Sequence, residues 1–138
     1  MYLIDTSIWI DYFRGKLNDI LRERVFNYIE NDLIAYSGVI LSELLIGCKS
    51  EKEKVIIKDN FTGFQYIALS HNDFVDLAEI GNILLRKGIT VPLTDIIIYY
   101  QAKFNKTRLL TYDKNFKYFN DKNIEIIRAV QQASGADK

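Results

Sequence analysis

The chain has 138 residues, 49% of them hydrophobic, with seven glycines and one proline, a composition that folds and a length that suits one domain. Its 18 basic and 18 acidic residues cancel, which excludes attraction of a polyanion by overall charge and leaves any such binding to local features. No apolar run approaches the ~20 residues that span a bilayer, and the start Met1-Tyr2-Leu3-Ile4-Asp5 lacks the basic flank and apolar stretch of an export signal; a cytoplasmic protein with no membrane partner is expected.

Tyr2-Leu3-Ile4 is too short for a buried helix and reads as a central strand, with a helix following that Asp5, Thr6 or Ser7 would cap. Leu17, Ile20, Leu21, Val25, Tyr28 and Ile29 recur every three or four residues, the stripe of an amphipathic helix that Asn31-Asp32 ends. Leu33-Ile34-Ala35-Tyr36 predicts a second strand, and Ser37-Gly38 opens a helix through about Cys48 that is apolar nearly all round and should be largely buried. Cys48, the sole cysteine, has no partner for a disulfide or metal knuckle and reads as packing.

A charged helix from about Glu51 to Asn60 leads to a third strand, Tyr66-Ile67-Ala68-Leu69. Ser70-His71-Asn72-Asp73 has the spacing of a capping box for a helix that stops at Gly88. His71, just inside that start, reads as an exposed helix residue with no chemical role. A further helix begins around Thr94-Asp95, Leu109-Leu110-Thr111 is a fourth strand, Asp113 starts a short helix, and Ile124-Glu125-Ile126-Ile127 is a fifth strand. The alternation implies right-handed crossovers and a mostly parallel sheet covered on both faces, a three-layer α/β/α sandwich. One domain over residues 1–130 is expected, with a polar tail at 131–138 that frays.

In such folds ligands sit at the carboxyl ends of strands, where the acids of this chain fall. Asp5, Glu43 and Asp95 are each embedded in hydrophobic sequence, and Asp113 directly follows an apolar strand. A buried carboxylate must be protonated, paired or metal-bound, and the sequence around Asp5, Glu43 and Asp95 offers no obvious basic partner. Four converging carboxylates would raise one another's pKa values unless a cation screened them. An all-oxygen set suits Mg²⁺ or Mn²⁺ over zinc or copper, and such a cluster can activate water against a phosphodiester.

Aspartate is also a preferred helix cap, so capping stands as an alternative for Asp5, Asp95 and above all Asp113. Glu43 falls mid-helix, where no cap role exists. Thr6, Ser7 and Thr111 could orient the carboxylates or serve the backbone. Tyr99, Tyr100, Tyr112 and Tyr118 offer base-stacking faces but read mainly as core. The stretch 101–122 sets Lys103, Lys106, Arg108, Lys114, Lys117 and Lys122 against Asp113 and Asp121, a candidate polyanion contact or a solvated basic face.

Leu3-Ile4-Asp5-Thr6-Ser7-Ile8-Trp9, Ser42-Glu43-Leu44, Leu93-Thr94-Asp95 and Leu109-Leu110-Thr111-Tyr112-Asp113-Lys114-Asn115-Phe116 resemble, in order and approximate spacing, the motifs of the PIN-domain nucleases, and among them the VapC-type toxins. The resemblance spans roughly residues 1–129. It implies an α/β/α sandwich, an Mg²⁺- or Mn²⁺-dependent endoribonuclease hydrolysing RNA, and catalytic, metal-binding roles for Asp5, Glu43, Asp95 and Asp113. It also implies a homodimer and a small antitoxin that wraps the toxin, blocks its active site and binds operator DNA. One departure is Asn115, where some members carry a further acid. A dehalogenase-like phosphatase would need a second aspartate where Ser7 stands, and a phosphoacceptor receiver has no use for Glu43; a catalytically silent PIN module that binds RNA or a protein is the remaining alternative.

Overall fold

In the computed structural model, which describes residues 1–128, the five short apolar runs form one parallel sheet: β1 (Tyr2–Ile4), β2 (Ile34–Ser37), β3 (Gln65–Ile67), β4 (Arg108–Thr111) and β5 (Ile124–Ile126). Their order is β3-β2-β1-β4-β5, every neighbour parallel. Leu3 and Ile4 in β1, and Leu109 and Leu110 in β4, are fully buried. Consecutive strand residues face opposite sides of a sheet, so both faces are covered and the layers number three. The chain winds from β1 outward through β2 to β3, then returns to the other side of β1 as β4 and β5. The gap between β1 and β4 is therefore the switch point where parallel sheets open a crevice.

Helices α1 (Thr6–Phe13) and α2 (Asp19–Glu30) connect β1 to β2; α3 (Gly38–Ile46) and α4 (Glu51–Phe61) connect β2 to β3; α5 (His71–Arg86) and α6 (Leu93–Phe104) connect β3 to β4. A 3₁₀ turn over Lys114–Phe119 joins β4 to β5. Polar side chains set the starts: Asn18 caps α2, Ser37 caps α3, Ser50 caps α4, and Ser70 with Asp73 forms the expected capping box of α5. Gly88, at φ +83°, follows the end of α5 in the left-handed conformation expected of it. The core centres on Trp9, whose ring lies 5.4 Å from that of Phe61 and 5.5 Å from that of Phe64.

Several expected bounds move. β3 begins at Gln65 and stops at Ile67, so Ala68 and Leu69 lead into the capping box instead of extending the strand. α2 begins at Asp19 because Asn18 takes the cap; Leu17 is buried ahead of it while Ile20 is 77% exposed. The short helix after Asp113 is 3₁₀. α3 is not largely buried: only Ile40 and Leu44 are, while Ile46 is 83% exposed, because the helix packs against its neighbours along one stripe and presents the opposite one outward. Cys48 is half-buried, its thiol donating to the Leu44 carbonyl at 3.4 Å, as a packing role requires. No described helix is long and apolar enough to cross a membrane. The expected domain end at residue 130 and the tail at 131–138 lie outside the described residues.

Candidate active site

The pairing of β1 with β4 places Asp5 beside Thr111. Ile4 pairs with Leu110, and the Asp5 amide donates to the Leu110 carbonyl at 2.9 Å, so Asp5, just past β1, and Thr111, the last residue of β4, stand at the same carboxyl edge. Asp5 is only 7% exposed. Its Oδ2 accepts from Thr111 Oγ1 at 2.7 Å and from Ser7 Oγ at 3.3 Å. Thr111 Oγ1 in turn accepts from the Asp113 amide at 2.9 Å, and Ser7 Oγ from the Tyr112 amide at 3.4 Å. The two hydroxyls thus join the ends of β1 and β4 through the Asp5 carboxylate.

Asp5 is the N-cap residue of α1, its carbonyl accepting from the Ile8 and Trp9 amides, but its carboxylate makes no side-chain cap; Asp95 is the third residue of α6, whose start is set by Pro92 with no side-chain cap. Side-chain capping therefore accounts for neither carboxylate. It holds for Asp113, whose Oδ1 accepts from the Asn115 amide at 2.8 Å. Glu43 occupies the exposed stripe of α3, contrary to the burial its apolar sequence suggests, and Thr6 Oγ1 donates to its Oε1 at 2.6 Å. Thr6, Ser7 and Thr111 all serve carboxylates.

The electrostatics show that the acids share one field. Burial pushes the Asp95 carboxyl up to about 6, and the charges of Asp113, Asp5 and Glu43 push the same way. Burial raises Asp5 as well, opposed by hydrogen bonds from Thr111, the Thr6 amide and Ser7, and assisted by the Glu43 charge. The ion pairs among the described residues use Asp19, Glu125 and Glu51, and none reaches these four acids. No group of three acidic, histidine or cysteine side chains among the described residues is arranged to hold a metal ion as it stands. A cation here would rest on one or two carboxylates at a time with water completing its shell, the habit of Mg²⁺.

The basic stretch does not form one surface. Lys103, Lys106, Arg108 and Lys122 lie at the amino edge of the sheet, where Arg108 pairs with Glu125 at 3.3 Å, and only Lys114 and Lys117 follow β4 at the carboxyl edge. Three cations that the sequence did not single out, Arg14, Lys16 and Lys49, line a cavity of about 360 Å³ between α1, α3 and α4 that Glu43 also borders. Of the tyrosines, Tyr99 is buried and donates to Asp121 at 3.0 Å, and buried Tyr100 donates to Asp73 at 2.8 Å. His71 is exposed on the first turn of α5.

Solved structures share this fold. A chain of the VapBC-1 complex from nontypeable Haemophilus influenzae superposes with a TM-score of 0.74 at 22% identity, covering 90% of this chain and 96% of that one. For VapBC2 from Rickettsia felis, bound to a DNA fragment from their promoter, the TM-score is 0.70 at 23% identity, with the same coverage of 90% and 96%. A toxin-antitoxin complex from Klebsiella pneumoniae gives 0.65 at 25% identity over 91% of this chain and 96% of that one. No curated protein matches the chain. The sequence profile of the PIN domain matches residues 2–122, and with nearly the whole described fold inside that match, the chain belongs to the PIN-domain family.

Proposed function

We propose that the protein is a divalent-metal-dependent endoribonuclease that hydrolyses RNA phosphodiester bonds, and that it is the toxin of a toxin-antitoxin pair. The observation that carries this reading is the geometry at the switch point of the parallel sheet, where Thr111 and Ser7 hold the buried Asp5, Thr111 also accepts from the Asp113 amide, and Thr6 ties Glu43 to the start of α1; the raised Asp95 carboxyl accords with it. Such a set is costly unless a proton or a cation relieves it.

Asp5, Glu43, Asp95 and Asp113 would hold Mg²⁺, or Mn²⁺ in its place; hard oxygen donors without a protein cation suit either. A bound divalent cation polarises the phosphate and lowers the pKa of an attacking water. The chain's own residues prepare that chemistry. Thr111 and Ser7 hold Asp5 aimed and favour its charged form, and Thr6 fixes the otherwise exposed Glu43. Asp95 changes protonation near pH 6, so protons compete with the cation for it in the acid range. Asn115 supplies its backbone amide to Asp113, a service independent of its side chain, so the lack of a further acid there leaves the site's support intact.

The similarity to chains of toxin-antitoxin complexes supports a small antitoxin as partner, and a homodimer and a cytoplasmic location go with that reading. A catalytically silent module that binds RNA or a protein is favoured by one observation, the lack of a closed three-ligand cage among the described residues. The two readings separate on cleavage of total bacterial RNA by the purified protein with Mn²⁺, with Mg²⁺ and with chelator, beside an Asp5→Asn variant prepared identically. Metal-dependent cleavage that the variant lacks is the expected result; equal cleavage by both proteins would overturn the site assignment, and no cleavage by either would favour the silent module.

A further inference from the structure

Resting on the ribonuclease reading, we propose that the cavity between α1, α3 and α4 is an RNA subsite, which takes a nucleobase beside the scissile bond while Arg14, Lys16 and Lys49 hold the adjoining phosphates. The cavity, at about 360 Å³, lies in the range of ~300–1,000 Å³ that small-ligand sites occupy. Its lining joins apolar faces, among them Ile10, Phe13 and Ile56, to the three cations. Phe13 is half-buried, with its ring anchored 5.7 Å from that of Trp9, so it offers a fixed face for base stacking.

Charge decides the occupant. The chain is neutral overall, yet the mouth of this cavity gathers three exposed cations, none in an ion pair among the described residues. Two acids also line it, Glu43, which accepts from Thr6, and Glu53, which accepts from the Lys49 amide at 2.7 Å, so the three cations leave a formal balance of plus one. A turn through Gly15, at φ +68°, separates Arg14 from Lys16 just past α1, while Lys49 precedes α4 on the opposite side of the cavity. Glu43 borders both this cavity and the carboxylate site, so a strand seated here continues into the place where the acids meet. An acidic, phosphate-bearing strand with one base turned into an apolar cleft fits this surface better than a neutral ligand does.

The test measures binding of a short fluorescein-labelled single-stranded RNA to an Asp95→Asn protein, which retains the strand uncut. Adding Arg14→Glu and Lys49→Glu should weaken binding about 10-fold or more at low salt, and should lower the slope of log K against log salt by about 1.4, two phosphates at ~0.7 each. Lys103→Glu with Lys106→Glu, at the opposite edge of the sheet, should change neither. RNA carrying 4-thiouridine should cross-link to Phe13 or its neighbours when the adduct is mapped by mass spectrometry. Equal weakening by both charge pairs, or cross-links confined elsewhere, would overturn the subsite while leaving the nuclease reading in place. Undiminished RNA binding, or undiminished cleavage when Arg14→Glu and Lys49→Glu are placed in the protein with Asp95 intact, would do the same. Absence of any RNA binding or metal-dependent cleavage by the unsubstituted protein would defeat both proposals together.

Discussion

Replacing Asp95 by Asn should make the metal-free protein more stable while abolishing cleavage. A carboxyl that titrates near about 6 in the fold instead of near 3.8 disfavours its charged form by about 3 kcal/mol before solvent screening, and by about 1–2 kcal/mol for a half-buried group. The sign follows from proton linkage. Between those two values the native state binds more protons than the unfolded chain, so stability falls as pH rises through the window, and the full penalty stands above it. Asp95→Asn removes the penalty without removing a helix cap, because Asp95 makes none. In chelator at pH 7 the variant should therefore melt roughly 4–8 °C higher, taking about 4 °C per kcal/mol for a domain of this size, and the gain should shrink to nothing near pH 4. Mg²⁺ should cancel the difference by stabilising the carboxylate protein by about 1.4 kcal/mol at ten times its Kd, and reverse the ranking at a hundred times its Kd, where the gain is about 2.7 kcal/mol. Thermal unfolding of both proteins across pH 4–8, with and without Mg²⁺, measures all of this. A variant no more stable than its parent at pH 7 in chelator, or a difference independent of pH, would refute the shared-field argument.

Thr111→Val removes the hydroxyl that donates to Asp5 and accepts from the Asp113 amide; loss of the donor raises the Asp5 carboxyl further, so cleavage should fall about 10–100-fold and the acid limb of the pH–rate profile should move to higher pH, with Thr111→Ser restoring most of both. Glu125 is gripped by the two terminal guanidinium nitrogens of Arg24, at 2.8 and 2.9 Å, which holds its carboxyl below the usual range. Glu125→Gln should cost about 1 kcal/mol in urea unfolding at neutral pH, with cleavage unchanged. That cost should disappear as the pH falls through the lowered pKa of Glu125, because the pair stabilises only while the carboxylate is charged.

The fold was legible because its short strands are apolar runs too brief for helices and two helix starts carry visible signals, Ser37-Gly38 for α3 and the Ser70–Asp73 box for α5. The parallel order then follows from alternation, since each strand is separated from the next by a helical crossover. The shifted bounds have local causes. Gln65 joins β3 through main-chain pairing with Ala35, a bond pattern indifferent to its polar side chain, and Asn18 displaces the start of α2 by accepting from the Leu21 amide at 2.9 Å.

The argument from embedded acids predicts burial, which the structure shows fully for Asp5 and by half for Asp95. For Glu43 the predicted burial is absent. A helix apolar nearly all round need not be buried all round, and α3 leaves Glu43 and Ile46 on its open stripe, so Thr6, not burial, ties Glu43 to the cluster. Charge counting over a window does not describe one surface, for a geometric reason. β4 carries the chain across the sheet in four residues, about 13 Å at the rise of a strand, so cations close together in sequence on either side of it end on opposite edges. Arg14, Lys16 and Lys49 show the converse: Lys49 lies more than thirty positions beyond the other two, yet all three reach one cavity because α1 and α3 pack side by side, and no contiguous count of charge could have joined them.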